Sequence, residues 1–328
     1  MKVIHNILFV CFLLTVTNCV AVTGTTQHNS NPSNINHIGL FENGKLIVIG
    51  KDNKYQIGKF NGIWSKKFPL QKTGLDFVNF TLSSDKGVFL IGGLKHKSEE
   101  TLVYYRGRTV LIDNDNNLIN KWDYDSTFNS AELFNGDVVG STGNNIYRLK
   151  KDGKTDLIHK RNRKTLISIV LDENGNTIIC NPRTARKVNT LTSKFGCYKG
   201  SEWDFNGRWY DSTNKYHTEP VRCGKWLIEP VQNGFNKDIT GLKVRDLNTG
   251  KLINERTVSD VNRFLCINNK SIIVNTSLTS YSLPDLKPAE SFSCHGNEPV
   301  KSIMNFGELT ACLTEQGNIG KLEAKHKK

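Results

Sequence analysis

The sequence predicts an all-β chain, a seven-bladed β-propeller of four-stranded antiparallel blades. Two observations carry this: an apolar strand–turn–strand unit returns seven times, and a second hairpin follows most copies. The units are Leu40–Gly50, Leu82–Gly92, Ala131–Gly140, Val170–Cys180, Pro220–Glu229, Leu265–Val274 and Met304–Leu313. Their turn residues are Gly44, Gly87, Gly136, Gly175, Gly224, Asn269 and Gly307. A drifting period of roughly 40–45 residues, with strands in every unit, is the pattern of a blade array.

The elements follow in chain order. Inner strands are expected to begin near Ile38, Asp76, Ser130, Leu166, Glu219, Val261 and Val300. Each continues through its turn into a second strand, and an outer hairpin then completes the blade. The outer hairpins are Tyr55–Phe68, Leu102–Trp122, Ile146–Lys160, Leu242–Val258 and Ser280–Cys294. Their Asp-Gly, Asn-Gly and Asn-Thr-Gly turns tolerate the left-handed backbone that hairpins need. The last blade has only Asn318–Glu323 for its third strand and nothing for its fourth. Residues 22–34 are available to complete it, which would close the ring and remove its exposed sheet edges.

Val244–Ile253, reading VRDLNTGKLI, is similar to the third-strand–turn–fourth-strand segment of blades in WD40 and quinoprotein-like propellers. The resemblance spans Ile35–Glu323 and is architectural. The Gly-His and Trp-Asp signatures of WD40 repeats are absent, with Trp122-Asp123 and Trp203-Asp204 at non-equivalent places. The resemblance therefore implies a fold and no function.

Residues 1–21 read as a secretory signal peptide: Lys2, the apolar run Ile7–Val16 and the small-residue ending Cys19-Val20-Ala21. The expected organisation is a signal at 1–21, a polar segment at 22–34 and the propeller at 35–328. The apolar run is shorter than a membrane span, and no other stretch approaches one. Of eight cysteines, six lie beyond the signal: Cys180, Cys197, Cys223, Cys266, Cys294 and Cys312. An even number in an exported chain predicts three disulfides. Cys180–Cys197 is the favoured local pair, and Cys223 and Cys266, on equivalent inner strands, are candidates to bridge blades. Sequons stand at Asn79, Asn269 and Asn275.

The chain carries 44 basic and 31 acidic residues, a formal charge of +13. Such a protein is drawn to polyanions: sulfated glycans, anionic surfaces or acidic macromolecular partners. Export argues against nucleic acid as the partner. If strands alternate in direction, the loops between second and third strands and the connectors between blades share one end. That connector end would gather Lys160, Arg161, Arg163, Lys164, Arg183, Arg186 and Lys187 from neighbouring blades three and four. Lys150, Lys151 and Lys154, in an outer hairpin turn, would face the opposite way.

Other motifs read as structure. Ser83–Gly87 matches half of a sialidase-type Asp box, but Leu90 stands where its Trp belongs. Asp113–Asn117 has alternating oxygen ligands, yet Leu118 and Tyr124 replace the Gly and Glu of a calcium loop. Trp203, Trp209 and Tyr210 read as an apolar cap over the blade interface; the alternative is that, with Arg208 and His217, they cover the channel mouth and contact a ligand. No GxSxG, HExxH or Walker motif occurs, and no zinc-ligand spacing. The expectation is a secreted, monomeric, non-catalytic binding protein without cofactor or metal. A small-ligand binder using the central channel, such as an amine binder, and a propeller hydrolase or glycosidase are the alternatives.

Overall fold

The computed structural model describes residues 32–60, 62–97, 103–142, 145–160, 168–175, 177–181, 196–199, 220–232, 239–261, 264–267, 271–274, 278–294, 298–306 and 309–324. Sheet one is β1 (Ile35–Leu40), β2 (Leu46–Gly50), β3 (Lys54–Gly58) and β4 (Phe68–Pro69). Sheet two is β5 (Phe77–Ser84), β6 (Gly87–Lys97), β7 (Val103–Ile112) and β8 (Leu118–Tyr124). Sheet three is β9 (Ser130–Phe134), β10 (Asp137–Ser141), β11 (Asn145–Leu149) and β12 (Thr155–Lys160). Sheet four has β13 (Ser168–Leu171), β14 (Thr177–Asn181) and β15 (Gly196–Lys199). Sheet five is β16 (Val221–Cys223), β17 (Trp226–Gln232), β18 (Ile239–Asp246) and β19 (Leu252–Val261). Sheet six is β20 (Phe264–Ile267), β21 (Ser271–Val274), β22 (Thr279–Ser282) and β23 (Lys287–Ser293). Sheet seven has β24 (Val300–Phe306), β25 (Leu309–Thr314) and β26 (Ile319–Lys321). The chain then crosses back, and β27 (Glu323–Ala324) pairs with β23.

The molecule is an all-β propeller of antiparallel blades, as expected at that level. The finer expectation of seven uniform four-stranded blades is corrected. Six blades are distinguished rather than seven, while strand pairing separates seven sheets, two of which have three described strands. Irregularity at the last sheet has a local cause: after β26 the chain leaves for β23 instead of adding a fourth strand.

Innermost strands touch in the order β1, β5, β9, β13, β16, β20, β24 and back to β1. The contact between the first and last sheets is apolar. Ile38, Leu40, Leu46 and Val48 of sheet one pack with Ala311, Leu313 and Ile319 of sheet seven. The Ile35 N–H donates to the Gly317 carbonyl at 2.9 Å, holding the start of β1 against the turn between β25 and β26. Of the segment expected to complete the last blade, residues 22–31 lie outside the described residues.

Five turn glycines, Gly44, Gly87, Gly136, Gly175 and Gly224, have positive φ, the conformation for which glycine was expected. Gly87 has a second reason: a Cβ there would run into the Ile112 backbone. Asn269 and Gly307 lie outside the described residues. Observed inner strands begin within three residues of every expected start.

Cys223–Cys266 joins the inner strands of sheets five and six, with a Cα separation of 5.2 Å. Cys294–Cys312 joins the end of β23 to β25, with a Cα separation of 6.1 Å. The β14–β15 register sets Cys180 opposite Cys197 along the backbone. Among the described residues no helix is long and apolar enough to cross a membrane.

Candidate functional site

The antiparallel course of each sheet sorts its turns to two ends. In sheet three, β12 runs from Thr155 to Lys160, so its ends lie roughly 17 Å apart at strand rise. Lys160 is exposed at the connector end, opposite Asn145 in register. Lys150, Lys151 and Lys154 occupy the β11–β12 turn at the other end. There the Lys150 N–H donates to the Lys154 carbonyl and Lys150 Nζ pairs with Asp156 at 2.5 Å. Arg161, Arg163, Lys164, Arg183, Arg186 and Lys187 lie outside the described residues.

At the connector end of the inner ring three side chains link three sheets. Lys301, on β24, donates to the carbonyl and Oδ1 of Asn36 at 3.2 and 2.6 Å. Asn36 Nδ2 lies 3.0 Å from His37 Nε2. An amide nitrogen can only donate, so this bond makes Nε2 an acceptor and the ring neutral. Burial and the Lys301 charge act the same way: they lower the His37 pKa to about 4, against a hydrogen bond with the Val78 backbone. The inward side of the ring near β1 is crossed by a contact of Ser83 Oγ, on β5, with Met304 Sδ, on β24, at 3.4 Å.

A pocket of about 430 Å³ opens at the same end of sheet one, between the β2–β3 turn and the approach to β1. Lys51, Lys54, Lys67 and Asp52 stand around it, over Ile35 and Val48. The sequence reading missed this cluster. The signal is Lys51, Lys54, Lys66 and Lys67 in one repeat, a sparser run than the one in blades three and four.

The motifs read as structure sit in turns. Asp113 Oδ1 accepts the Asp115 and Asn117 backbone N–H groups at 2.9 and 2.8 Å, and Oδ2 accepts Asn117 Nδ2 at 2.9 Å. Slight desolvation raises its pKa, but those bonds and Lys45 outweigh it and hold the carboxyl below the ordinary range. Its oxygens are therefore committed to the turn. In the half Asp box, the Ser84 hydroxyl donates to the Gly87 carbonyl at 2.9 Å and Leu90 is fully buried. Among the described residues no group of three or more metal-ligating side chains gathers. Trp203, Arg208, Trp209, Tyr210 and His217 lie outside the described residues, as do Asn269 and Asn275. Asn79 is exposed at a bulge in β5, its Nδ2 3.4 Å from the Phe128 carbonyl.

One buried acid remains. Glu229, on β17, is 2% exposed, and its Oε2 accepts Arg245 Nε at 3.1 Å. Its Oε1 has no hydrogen-bond partner among the described residues. Desolvation raises its pKa to about 7, opposed by Arg245. Arg222 of the same sheet donates to the Leu171 and Asp172 carbonyls of sheet four at 3.2 Å. Arg222 therefore lies at the turn end of sheet five, opposite the connectors, whereas Glu229 and Arg245 pair within the sheet, across β17 and β18.

No family model and no curated protein matches the chain. Solved structures do. The WD40 β-propeller domain of Doa1 superposes with a TM-score of 0.54 at 9% identity, covering 93% of this chain and 96% of that one. Sqt1 of Saccharomyces cerevisiae gives 0.53 at 8%, covering 88% and 84%. A catalytically inactive virginiamycin B lyase from Staphylococcus aureus, with quinupristin, gives 0.50 at 15%, covering 93% and 97%. At such identities the likeness shows the β-propeller fold alone.

Proposed function

We propose that this chain is a secreted binding protein that presents the basic connector end of its propeller to a polyanion, a sulfated glycan or an acidic macromolecule. One observation carries the reading. The run 161–164 departs from the end of β12, and the run 183–187 follows the end of β14, in sheets whose inner strands touch. β12 and β14 thus finish at the same end of neighbouring sheets, and Lys150, Lys151 and Lys154 occupy the other. Clustered arginines offer paired donors to sulfate or carboxylate. The two disulfides are compatible with an extracellular setting. The Cys180–Cys197 register supports a third bridge there, and Asn79, Asn269 and Asn275 are the glycan acceptors of this reading.

The test is binding to immobilised heparin across a salt series. Replacing Arg161, Arg163, Arg183 and Arg186 with Gln should weaken binding steeply and flatten its salt dependence. Replacing Lys150, Lys151 and Lys154 should do far less. Equal losses from the two sets would reduce the site to diffuse positive charge.

A further inference from the structure

The pocket on sheet one has the features of a site for a single anionic group. Its lysines are held by a turn that leaves little freedom to their backbone. The Lys51 N–H donates to the Asn34 carbonyl at 3.0 Å, the Asn53 N–H to the Gly50 carbonyl at 3.2 Å, and the Leu70 N–H to the Asn53 carbonyl at 2.9 Å. The Cα positions of Lys51 and Lys54 are therefore set before any ligand arrives, which lowers the ordering cost of binding.

The charge there is not balanced. Asp52 is the one acidic residue of the lining, and it is engaged already. Its Oδ1 accepts the Lys54 backbone N–H at 3.3 Å, and its Oδ2 lies 3.8 Å from Lys67 Nζ. Among the described residues no acidic side chain lies within ion-pair distance of Lys51 or Lys54. More positive charge stands behind: Lys66 and Lys72 both lie over the Phe68 ring, 5.8 and 5.1 Å from its centre. Like charges gathered this way repel one another, and an anion relieves that repulsion.

Shape selects among anions. A volume of about 430 Å³ falls in the range of small-molecule sites, about 300–1,000 Å³. That is the scale of a sugar unit rather than of a bare ion. Ile35 and Val48 supply apolar surface for a ring face, and Gln56 and Asn34 supply polar groups beside it. The Gln56 amide is anchored by donating to the Ser65 carbonyl at 2.8 Å. Lysine ammonium groups are compact point charges suited to a tetrahedral oxyanion approached from several sides. No aromatic ring lines the pocket to stack a nucleobase.

We infer that this pocket holds one sulfate-bearing sugar unit of a polyanionic glycan, with Lys51, Lys54 and Lys67 around the sulfate and Asp52 as its internal competitor. The inference rests on the polyanion reading above and adds a second contact on the same end of the ring. It makes an unusual demand on Asp52: removing this surface acid should strengthen binding, because Lys67 is released to the ligand. Asn at this position keeps an oxygen for the Lys54 N–H, so the turn is preserved.

Calorimetric titration of a heparin tetrasaccharide at low salt tests it, with a desulfated tetrasaccharide and inorganic sulfate as parallel arms. The triple variant K51Q/K54Q/K67Q should bind about tenfold more weakly, from three exposed charges each contributing on the order of 0.5 kcal/mol. D52N should bind more tightly than the parent by about twofold. The desulfated sugar should not bind, and inorganic sulfate should compete only weakly. Unchanged melting midpoints would show that the variants are folded. If the triple variant binds like the parent while the variant lacking Arg161, Arg163, Arg183 and Arg186 loses affinity, the pocket is overturned and the basic end stands. If the triple variant loses affinity and the arginine variant does not, the pocket stands and the arginine cluster falls. Equal binding of sulfated and desulfated sugar overturns the sulfate assignment. A parent protein that binds neither removes both proposals.

Discussion

Two contacts between neighbouring sheets solve the same packing problem in different ways. Sheets one and two meet through apolar burial. Ile47, Ile49, Tyr55 and Ile57 pack against Val78, Val88, Leu90, Val110 and Ile112 in one continuous cluster. Sheets five and six also meet through apolar side chains, with Ile228, Leu242 and Val244 against Phe264, Ile272 and Leu286. There, however, the inner strands are covalently joined by Cys223–Cys266. All cysteines beyond residue 21 fall at Cys180 or later, so the cross-links belong to one part of the ring. A propeller has no single core; each blade contact must hold by itself. Burial suffices where the ladders are long, such as the ten-pair register of β6 with β7. Staples serve where inner strands are as short as β16 and β20.

The largest expected effect tests that division. The Cys223–Cys266 bridge closes a loop with a sequence separation of 43, so replacing both cysteines with Ser should destabilise by about 4 kcal/mol on the chain-entropy model. Urea unfolding measures the total. Hydrogen exchange with and without reductant localises it: sheets five and six should lose protection and sheets one and two should keep theirs. Equal loss in both places would mean that the ring unfolds as one unit and that the staple is not local.

The converse substitution is Leu90→Ala, fully buried between sheets one and two. Lost transfer energy and the cavity left behind should cost about 3 kcal/mol. Reductant should not alter that increment. A strong dependence on reductant would couple the two contacts and break the comparison.

The contacts also differ in how they respond to pH, with opposite sign. His37, at the ring closure beside sheet two, has its pKa lowered from 6.5 to about 4. Its contribution is present above pH 6.5 and is lost as pH falls towards 4, because the unfolded chain binds the proton first. Glu229, in sheet five, has its pKa raised from 4.5 to about 7. Its contribution is greatest below pH 4.5 and is lost as pH rises towards 7, because the unfolded carboxyl ionises first. Each amounts to about 3 kcal/mol at most over its window. In the parent protein the two slopes oppose each other between pH 4.5 and 6.5. Single variants should separate them: E229Q should leave stability rising with pH there, and H37Q should leave it falling. The slope is the readout, since E229Q also deprives Arg245 of its carboxylate. Parallel pH profiles for both variants would refute the assignments.

What the sequence made legible follows from the range of the interactions. Turn glycines were readable because positive φ is a local demand that few other residues meet. Cys223 and Cys266 were readable as bridging candidates because they hold equivalent positions in successive repeats. The Lys301–Asn36 bond spans 265 residues and depends on ring closure, so no spacing announces it. Glu229 meets Arg245 only through the β17–β18 register, which sets Leu227, not Glu229, directly opposite Arg245. The lysine pocket was hidden because its cations are separated by Asp52 and by a strand. The fourth strands failed where strand capacity runs out, at Ile319–Lys321, and the crossing to β23 left no signature beyond two exposed residues.

The smallest expected effect concerns surface charge in the two parts of the ring. In sheet two, Arg108 grips Asp123 through two nitrogens, Nε at 2.5 Å and the terminal nitrogen at 2.8 Å. The arginine side chain is 15% exposed, and a further nitrogen donates to the Gly74 carbonyl at 2.9 Å. The Arg108 hydrogen bond outweighs desolvation and lowers the Asp123 pKa. In sheet six, Lys287 and Asp285 lie 3.7 Å apart with side chains 75% and 62% exposed. A double-mutant cycle should give about 1 kcal/mol for the bidentate pair and under about 0.3 kcal/mol for the exposed one, where ordering two free side chains cancels most of the attraction. Added salt should erode the weaker coupling completely and the stronger one only in part. Comparable couplings at both sites would show that exposure and geometry do not decide the strength of these pairs.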